Sequence, residues 1–304
     1  MALSQPALMP IAGNFALYAL VNVDHSADRV LEQCQLLAQA CEKINQDYPG
    51  ADLVSCVSFS AGFWQQLDCA MPPELVPFPG FGNGTVDAPA TQADVLIHLH
   101  SQRHDLNYLA FKNWLAALQD CVTVLDETHG FRFLDSRDMT DFVDGTENPK
   151  TDEKRKEAAC IAEGEFVNGS YVMLQRFVHD LVTWHHHSQH EQEQMMGRTK
   201  PDSVELEDVP ADSHVGRVDV KENGKGLKIV RHSLPYGYAS GEHGLLFIAY
   251  CATVHHFDVM LKRMYGEVDG IHDRLLDYTH AVTGAYFFCP SADLLGQLKV
   301  VESA

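Results

Sequence analysis

Val30, Cys34, Leu37, Cys41 and Ile44 recur at alternating steps of four and three residues. On a helix these five share one face, and a helix with a single apolar stripe must lay it against something. The flanking sequence supplies the surface. Asn14 to Val23 is an apolar run in which Val21 and Val23 flank polar Asn22, and Leu53 to Phe59 is a second run of strand type. Ser26 stands where a helix N-cap is expected, and Gly50 where the helix should close. Asp94 to His100 follows as a third strand, with Leu96 and His98 opposed to Val95, Ile97 and Leu99. Leu106, Leu109, Trp114, Ala117 and Leu118 then mark a second helix, and Val122 to Leu125 a fourth strand. The order β-α-β-β-α-β is that of a ferredoxin-like unit, four antiparallel strands carrying two helices on one face.

The order recurs in the second half. Ser170 to Val178, Gly226 to His232, Leu245 to Ala252 and Ala285 to Cys289 read as strands; the stretches Trp184 to Met196 and Phe257 to Met264 read as helices. The chain is therefore expected to be α+β, two tandem ferredoxin-like (βαββαβ) units packed as a barrel-like sandwich. Residues 1–149 would form the first unit, ending in the loop around Asp144, and residues 150–304 the second. Lys150 to Gly169 would link them, its run from Lys150 to Lys156 charged and solvated. Met71 to Ala90, rich in Pro and Gly, is long for a connection inside a compact domain, which marks it as functional or packed onto a partner.

Charge narrows the function. Asp and Glu number 42 against 22 Lys and Arg, a net charge of -20. Nucleic-acid binding is driven by cations neutralising phosphates, so this balance argues against it, and against anionic membranes as well. No segment reaches the roughly 20 apolar residues of a membrane span, and Met1-Ala2-Leu3-Ser4-Gln5-Pro6 lacks the basic start and apolar run of a secretory signal. The eight cysteines are scattered without a Cys-x-x-Cys pair, and Cys34, Cys56 and Cys251 lie in apolar patterns. They read as reduced core thiols of a cytoplasmic protein.

Chemistry concentrates near the middle of the chain, in Phe142-Val143-Asp144-Gly145-Thr146-Glu147-Asn148-Pro149. With Gly on one side and Asn-Pro further on, the backbone turns there while a short carboxylate is held at a fixed place. Alone, this is an ordinary Asx or type I turn. Two further segments give it company: His214 in Asp212-Ser213-His214-Val215-Gly216-Arg217-Val218, and Arg231 in Lys228-Ile229-Val230-Arg231-His232-Ser233-Leu234-Pro235-Tyr236-Gly237. In this order the three segments resemble the dye-decolourising peroxidases, a haem enzyme family. Ala88 to Asp94, Gly241 to Tyr250 and Phe257 to Met264 resemble its bacterial intracellular, B-type-like branch, and the resemblance covers nearly the whole chain. The family's Gly-x-x-Asp-Gly signature is incomplete, because Asp141 stands where it has Gly, which puts the loop geometry before Asp144 in question.

The resemblance implies roles. His214 would be the proximal iron ligand with Asp273 as its carboxylate partner, and Asp144 and Arg231 would face peroxide on the distal side. If Arg231 lies in a strand, Ser233 points to the same face and can reach the same ligand. Arg176 and Arg198 are candidates for pairing with the porphyrin propionates, and Asn148 for donating a hydrogen bond. Leu246, Phe247, Phe257 and Met260 have the character of an apolar haem wall, and equally of ordinary core. His186 and His190 would share a helix face at i, i+4, a spacing that suits zinc, although a solvated face fits as well. The ten Tyr and three Trp include possible electron relays of the kind the family uses, and the sequence does not say which.

The expected protein is a peroxidase holding one haem b per chain. It would use hydrogen peroxide to oxidise aromatic organic donors, anthraquinone dyes and phenols among them, by one-electron steps. Its base would be a carboxylate with an ordinary pKa of about 3.9, which favours turnover at about pH 4 to 5. The alternatives are a porphyrinogen oxidase or deferrochelatase, and a haem carrier without enzymatic activity. The resemblance further implies a homo-oligomer, a dimer or larger. Encapsulation is not expected, because Val301-Glu302-Ser303-Ala304 follows soon after the last element without a Gly/Pro-rich tail.

Overall fold

The computed structural model describes residues 3–301. Met1, Ala2 and Glu302 to Ala304, on which the expectations about a signal and about encapsulation bear in part, lie outside the described residues. In the first half, β1 (Phe15–Val23), α1 (Ala27–Asp47), β2 (Val54–Phe59), β3 (Val95–Ser101), α2 (His104–Leu118) and β4 (Val122–Phe131) follow one another. The strands pair antiparallel in the order β4-β1-β3-β2, as a ferredoxin-like unit requires. A helix α3 (Asp152–Ala159) leads to the second unit: β5 (Ser170–His179), α4 (Gln189–Met196), α5 (His214–Val218), β6 (Val230–Arg231), β7 (Leu234–Gly237), β8 (His243–Cys251), α6 (Val254–Met264), β9 (Thr279–Ala281) and β10 (Ala285–Cys289). Here the order is β10-β5-β8 with β6 and β7 beyond, the same topology again.

The two sheets join edge to edge. Tyr236 on β7 pairs with Gly130 on β4, and Phe288 on β10 with Phe59 on β2, so the ring β7-β4-β1-β3-β2-β10-β5-β8 closes into a barrel, with β6 paired to β8 and β9 to β5 beside it. Gly130 permits the first seam, since a Cβ there would lie 2.8 Å from the Cβ of Leu234. Period-two alternation sorts the side chains. Ala16, Tyr18 and Leu20 turn into the barrel with Val172, Leu174, Ile248 and Tyr250. Leu17, Ala19 and Val21 face outward, where the stripe of α1 covers them. None of the described helices is long and apolar enough to cross a membrane.

Several local expectations need correction. Ser26 precedes α1 in a left-handed conformation (φ 54) and makes no side-chain cap, which leaves only its carbonyl to start the helix. The fourth strand runs on to Phe131 because it spans the whole length of β1. Trp184 to Met196 breaks into two helices, since Ser188 caps α4 in a capping box with Glu191. His186 therefore precedes α4 and does not share its face with His190. The run from Lys150 is not fully solvated. Thr151 caps α3, and its Arg155 is buried, donating to the carbonyls of Met9 and Pro10. Gly226 to His232 is not one strand: Gly226 belongs to a two-residue ribbon, only Val230 and Arg231 pair with β8, and β7 follows. The long Met71 to Ala90 connection packs onto the second unit, with Phe78 edge-on to Tyr286 at 4.9 Å and the Glu74 carboxylate accepting the Val254 N–H at the start of α6.

Candidate active site

One deep cavity lies between the helix-covered face of the second sheet, α5, α6 and the loop from Asp138 to Glu147. The loop owes its shape to unusual backbone. Leu134, Asp135 and Ser136 all have positive φ, and so do Asp141 (φ 71) and Gly145 (φ 72). Asp141, standing where the signature has Gly, thus adopts the left-handed conformation that Gly reaches most easily and Asp tolerates better than most residues. Arg137 holds this turn from inside, donating to the carbonyls of Asp141, Lys200 and Pro201 at 2.6, 2.9 and 2.8 Å. Phe142 packs on buried Trp184, whose indole N–H donates to the Thr140 carbonyl.

So fixed, Asp144 presents its carboxylate beside Arg231. Its Oδ1 accepts the Gly145 N–H at 2.6 Å and lies 3.4 Å from the Arg231 guanidinium, with each side chain about one-fifth exposed (20% and 22%). Asn148 ties the loop to β6 twice over. It accepts the Arg231 N–H at 2.8 Å and donates to the Arg231 carbonyl at 2.9 Å, completing both backbone groups of the residue that carries the cation.

His214 opens α5, a helix of five residues that could not stand alone. Ser213 caps it through the Gly216 N–H, and Gly216 must be glycine because a Cβ would meet the Pro210 carbonyl oxygen at 2.3 Å. Buried Arg217 locks α5 to α6. It forms a two-pronged pair with Asp269 at 2.9 and 2.7 Å and donates to the Arg263 carbonyl, while Arg263 donates back to the carbonyls of Arg217 and Gly216. The His214 Nδ1 lies 2.6 Å from Oδ2 of fully buried Asp273, whose other oxygen accepts the Leu275 N–H. That bond sets the tautomer and leaves Nε2 as the nitrogen available to the cavity.

The cavity brings together Asp144, Arg231, His214, Phe247, Met260 and Arg198 of the residues singled out in the sequence. Asp273 and Asn148 stand directly behind it. Arg198 sits at the rim, paired with Glu147 at 2.6 Å and Glu205 at 3.6 Å. Lys228 shares Glu147 at 3.3 Å. Burial alone would raise the Glu147 carboxyl, yet the two cations hold it below the usual range.

Four others lie elsewhere. Arg176 serves the barrel seam, bonded to Asp126 at 2.8 Å, to the Tyr236 hydroxyl at 3.0 Å and to Glu242. Leu246 points into the barrel interior, and Phe257 is core beneath α6. Ser233 is not among the lining residues. The ladder breaks between β6 and β7, and its hydroxyl accepts the Ile248 N–H at 3.2 Å in place of a backbone carbonyl.

The β5 face of the cavity carries Met173, Gln175, Phe177 and His179, none of which the sequence singles out. The His179 Nε2 lies 3.1 Å from Asp138 and its Nδ1 2.7 Å from the Thr279 hydroxyl. Burial pushes the Asp138 carboxyl up, but the His179 charge and hydrogen bonds from His179 and Thr140 outweigh it and bring the group to about 2. Gln175 is 1% exposed, and its side chain lies against the Tyr265 hydroxyl. Alternation along β5 is the signal that would have found this face, once it was known which face the cavity takes.

The family description "Dyp-type peroxidase, N-terminal" matches residues 5–132, and "Dyp-type peroxidase, C-terminal" matches residues 135–294. A dye-decolorizing peroxidase of Mycobacterium tuberculosis is 38% identical over 96% of this chain and 89% of its own length. Among solved structures, a dye-decolorizing protein from V. cholerae superposes with a TM-score of 0.96 at 56% identity, covering 98% of this chain and all (100%) of that one. A DypB variant from Rhodococcus jostii in complex with haem superposes with a TM-score of 0.90 at 34% identity, covering 97% and 98% of the two chains.

Proposed function

The chain belongs to the dye-decolourising peroxidase family, and from that premise we propose that its cavity holds one haem b, with His214 Nε2 as the protein's iron ligand. Hydrogen peroxide is the oxidant, and aromatic organic donors such as anthraquinone dyes and phenols are the reductants. The residues present fit the group. The wall is apolar through Phe177, Phe247 and Met260, and Arg198 and Lys228 at the rim suit the porphyrin carboxylates.

Bound haem would supply a Lewis-acidic, redox-active iron. The chain supplies the rest. Asp273 orients His214 and strengthens it as a donor. Asp144 would accept a proton from hydrogen peroxide and hand it back to the departing oxygen, which leaves as water. Arg231 would stabilise the negative charge that develops on the departing oxygen. Asn148 and Arg137 keep that pair in place without touching the substrate.

The observation that carries the reading is that one cavity contains both a carboxylate-backed imidazole and a carboxylate–guanidinium pair. A haem carrier needs only the first. Stopped-flow spectra of the haem-loaded chain, mixed with peroxide at mildly acidic pH, test it. A fast Soret change, slowed in Asp144→Ala and in Arg231→Ala, is expected; bound haem indifferent to peroxide would return the protein to the carrier or deferrochelatase alternatives. A cytoplasmic location, which agrees with eight free cysteines, and a homo-oligomeric state belong to the same proposal.

A further inference from the structure

Where α1 begins and α2 gives way to β4, the first unit gathers three side chains for which the peroxide reaction has no use. His25 lies in the turn after β1, and Asp120 and Cys121 in the turn before β4. One ligand atom from each, an imidazole nitrogen, a carboxylate oxygen and the thiol sulfur, can be chosen so that all lie within 4.8 Å of one another. Among the described residues this is the one group of three such side chains drawn together in that way. None of the three lines the cavity that carries His214 and Asp144.

The protein itself ties the two turns to each other. The backbone N–H groups of Asp24 and His25 both donate to the Cys121 carbonyl, at 2.9 and 3.4 Å, and the Thr123 hydroxyl donates to the Asp24 carboxylate at 2.8 Å. In each turn the residue beside a ligand has positive φ without being glycine: Ser26 (φ 54) follows His25, and Gln119 (φ 45) precedes Asp120. Cys121 is 1% exposed, whereas the side chains of His25 and Asp120 are 53% and 82% exposed. The sulfur is therefore a fixed anchor, and the other two groups are free to close over it. Arg29 donates to the same sulfur at 3.7 Å and to the Ala117 carbonyl, an outer bond that a metal-bound thiolate can also accept.

Bonds of about 2.3 Å to sulfur and about 2.0–2.2 Å to nitrogen or oxygen place tetrahedral ligands about 3.3–3.8 Å apart. His25 Nε2 and Asp120 Oδ2 are 4.0 Å apart, so rotation of two exposed side chains is enough to complete the set. A thiolate with an imidazole and a carboxylate suits a borderline-soft divalent metal, and not calcium or magnesium, which take oxygen ligands. The geometry points to His25, Asp120 and Cys121 as a zinc site of three protein ligands, with water in the fourth position, that clamps the start of α1 to the end of α2. The inference stands apart from the peroxidase reading. On binding, zinc takes the Cys121 sulfur as thiolate and the thiol proton leaves to solvent; the charges of thiolate and carboxylate together match that of the ion. Only the fold brings residues 25 and 120 together, so the ion binds the folded chain in preference to the unfolded one and adds stability.

Zinc-edge X-ray absorption of the haem-loaded full chain, treated with a chelator and then given one equivalent of zinc chloride, tests the site. The expected first shell holds one sulfur at about 2.3 Å with nitrogen and oxygen at about 2.0–2.2 Å. Zinc should also raise the midpoint of thermal unfolding, and that shift should be lost in Cys121→Ser and in His25→Ala but kept in His190→Ala, which removes an exposed imidazole elsewhere. His25→Ala alters an exposed side chain, and so keeps the test decisive should Cys121→Ser fail to fold. A shell of nitrogen and oxygen alone means adventitious binding at surface imidazoles and overturns the site. So does a midpoint shift that survives in His25→Ala, or zinc that is lost on gel filtration of the unaltered chain.

Discussion

Asp144, His214 and Arg231 stood out in the sequence through the resemblance of their three segments to the family, and the structure brings all three to one cavity, where neighbouring residues hold each in place. Asn148 clamps Arg231, Ser213 caps the helix of His214, and Gly145 donates to Asp144. Gln175 and His179 did not stand out, because nothing local separates a strand residue facing a cavity from one facing a core. Ser233 was placed at the cavity by strand alternation, and the break in the ladder after Arg231 gives its hydroxyl a backbone partner instead. Removing a positioned proton acceptor costs about 10²–10⁴ in rate. Asp144→Ala is expected to slow the peroxide-dependent Soret change by that order while haem stays bound, and Ser233→Ala to leave it nearly unchanged; equal losses in the two variants would put Ser233 back in the chemistry. Asp273→Asn keeps the size of the side chain but weakens the bond to His214. Outer-shell changes of this kind cost about 10–100-fold in affinity, so faster haem transfer to an apo-protein acceptor is the expected readout.

At the level of elements, the long strands and amphipathic helices were readable from periodicity, and the short ones were not. α5 has five residues and no stripe of its own; it is held by Ser213, by the closeness of Gly216 to Pro210, and by Arg217 reaching across to Asp269 on the segment after α6. Such a helix exists only through tertiary contacts, and no local pattern announces it. Its dependence on Gly216 can be measured. Gly216→Ala forces a methyl group against a backbone oxygen, and overpacking of this sort costs about 1–3 kcal/mol. The expected result is a lower midpoint in thermal unfolding together with weaker haem retention, since His214 is two residues away. Lowered stability with unchanged haem retention would mean that α5 positions His214 less tightly than its contacts imply.

For the molecule as a whole, the two ferredoxin-like units could be read from the order of their elements, whereas the closure of the barrel could not. Each seam rests on a single paired position, Tyr236 with Gly130 and Phe288 with Phe59, and pairing between residues so far apart leaves no trace in local pattern. Closure creates the interior in which His98, His100 and His232 are buried, facing one another and the guanidinium of Arg155. Burial first, and the neighbouring charge of Arg155 as well, brings His100 down to about 4; His98 and His232 are pushed well below the ordinary range. In the unfolded chain the same rings take up protons near pH 6.5. Below that pH the unfolded state binds more protons than the folded one, so stability is intact at neutrality and is lost as pH falls from about 6.5 through the folded value. For His100 alone, with a folded value of about 4, the loss is on the order of 3 kcal/mol. Denaturant midpoints should therefore drop steadily between pH 7 and pH 4, and His100→Gln should flatten the slope. The acid range that suits a carboxylate base is thus the range in which the barrel interior fails. Initial rates should stay high at pH 4 to 5 while activity after incubation at that pH, without substrate, decays far faster than at pH 7. A decay rate that does not depend on pH would show that the buried imidazoles do not govern the acid limit.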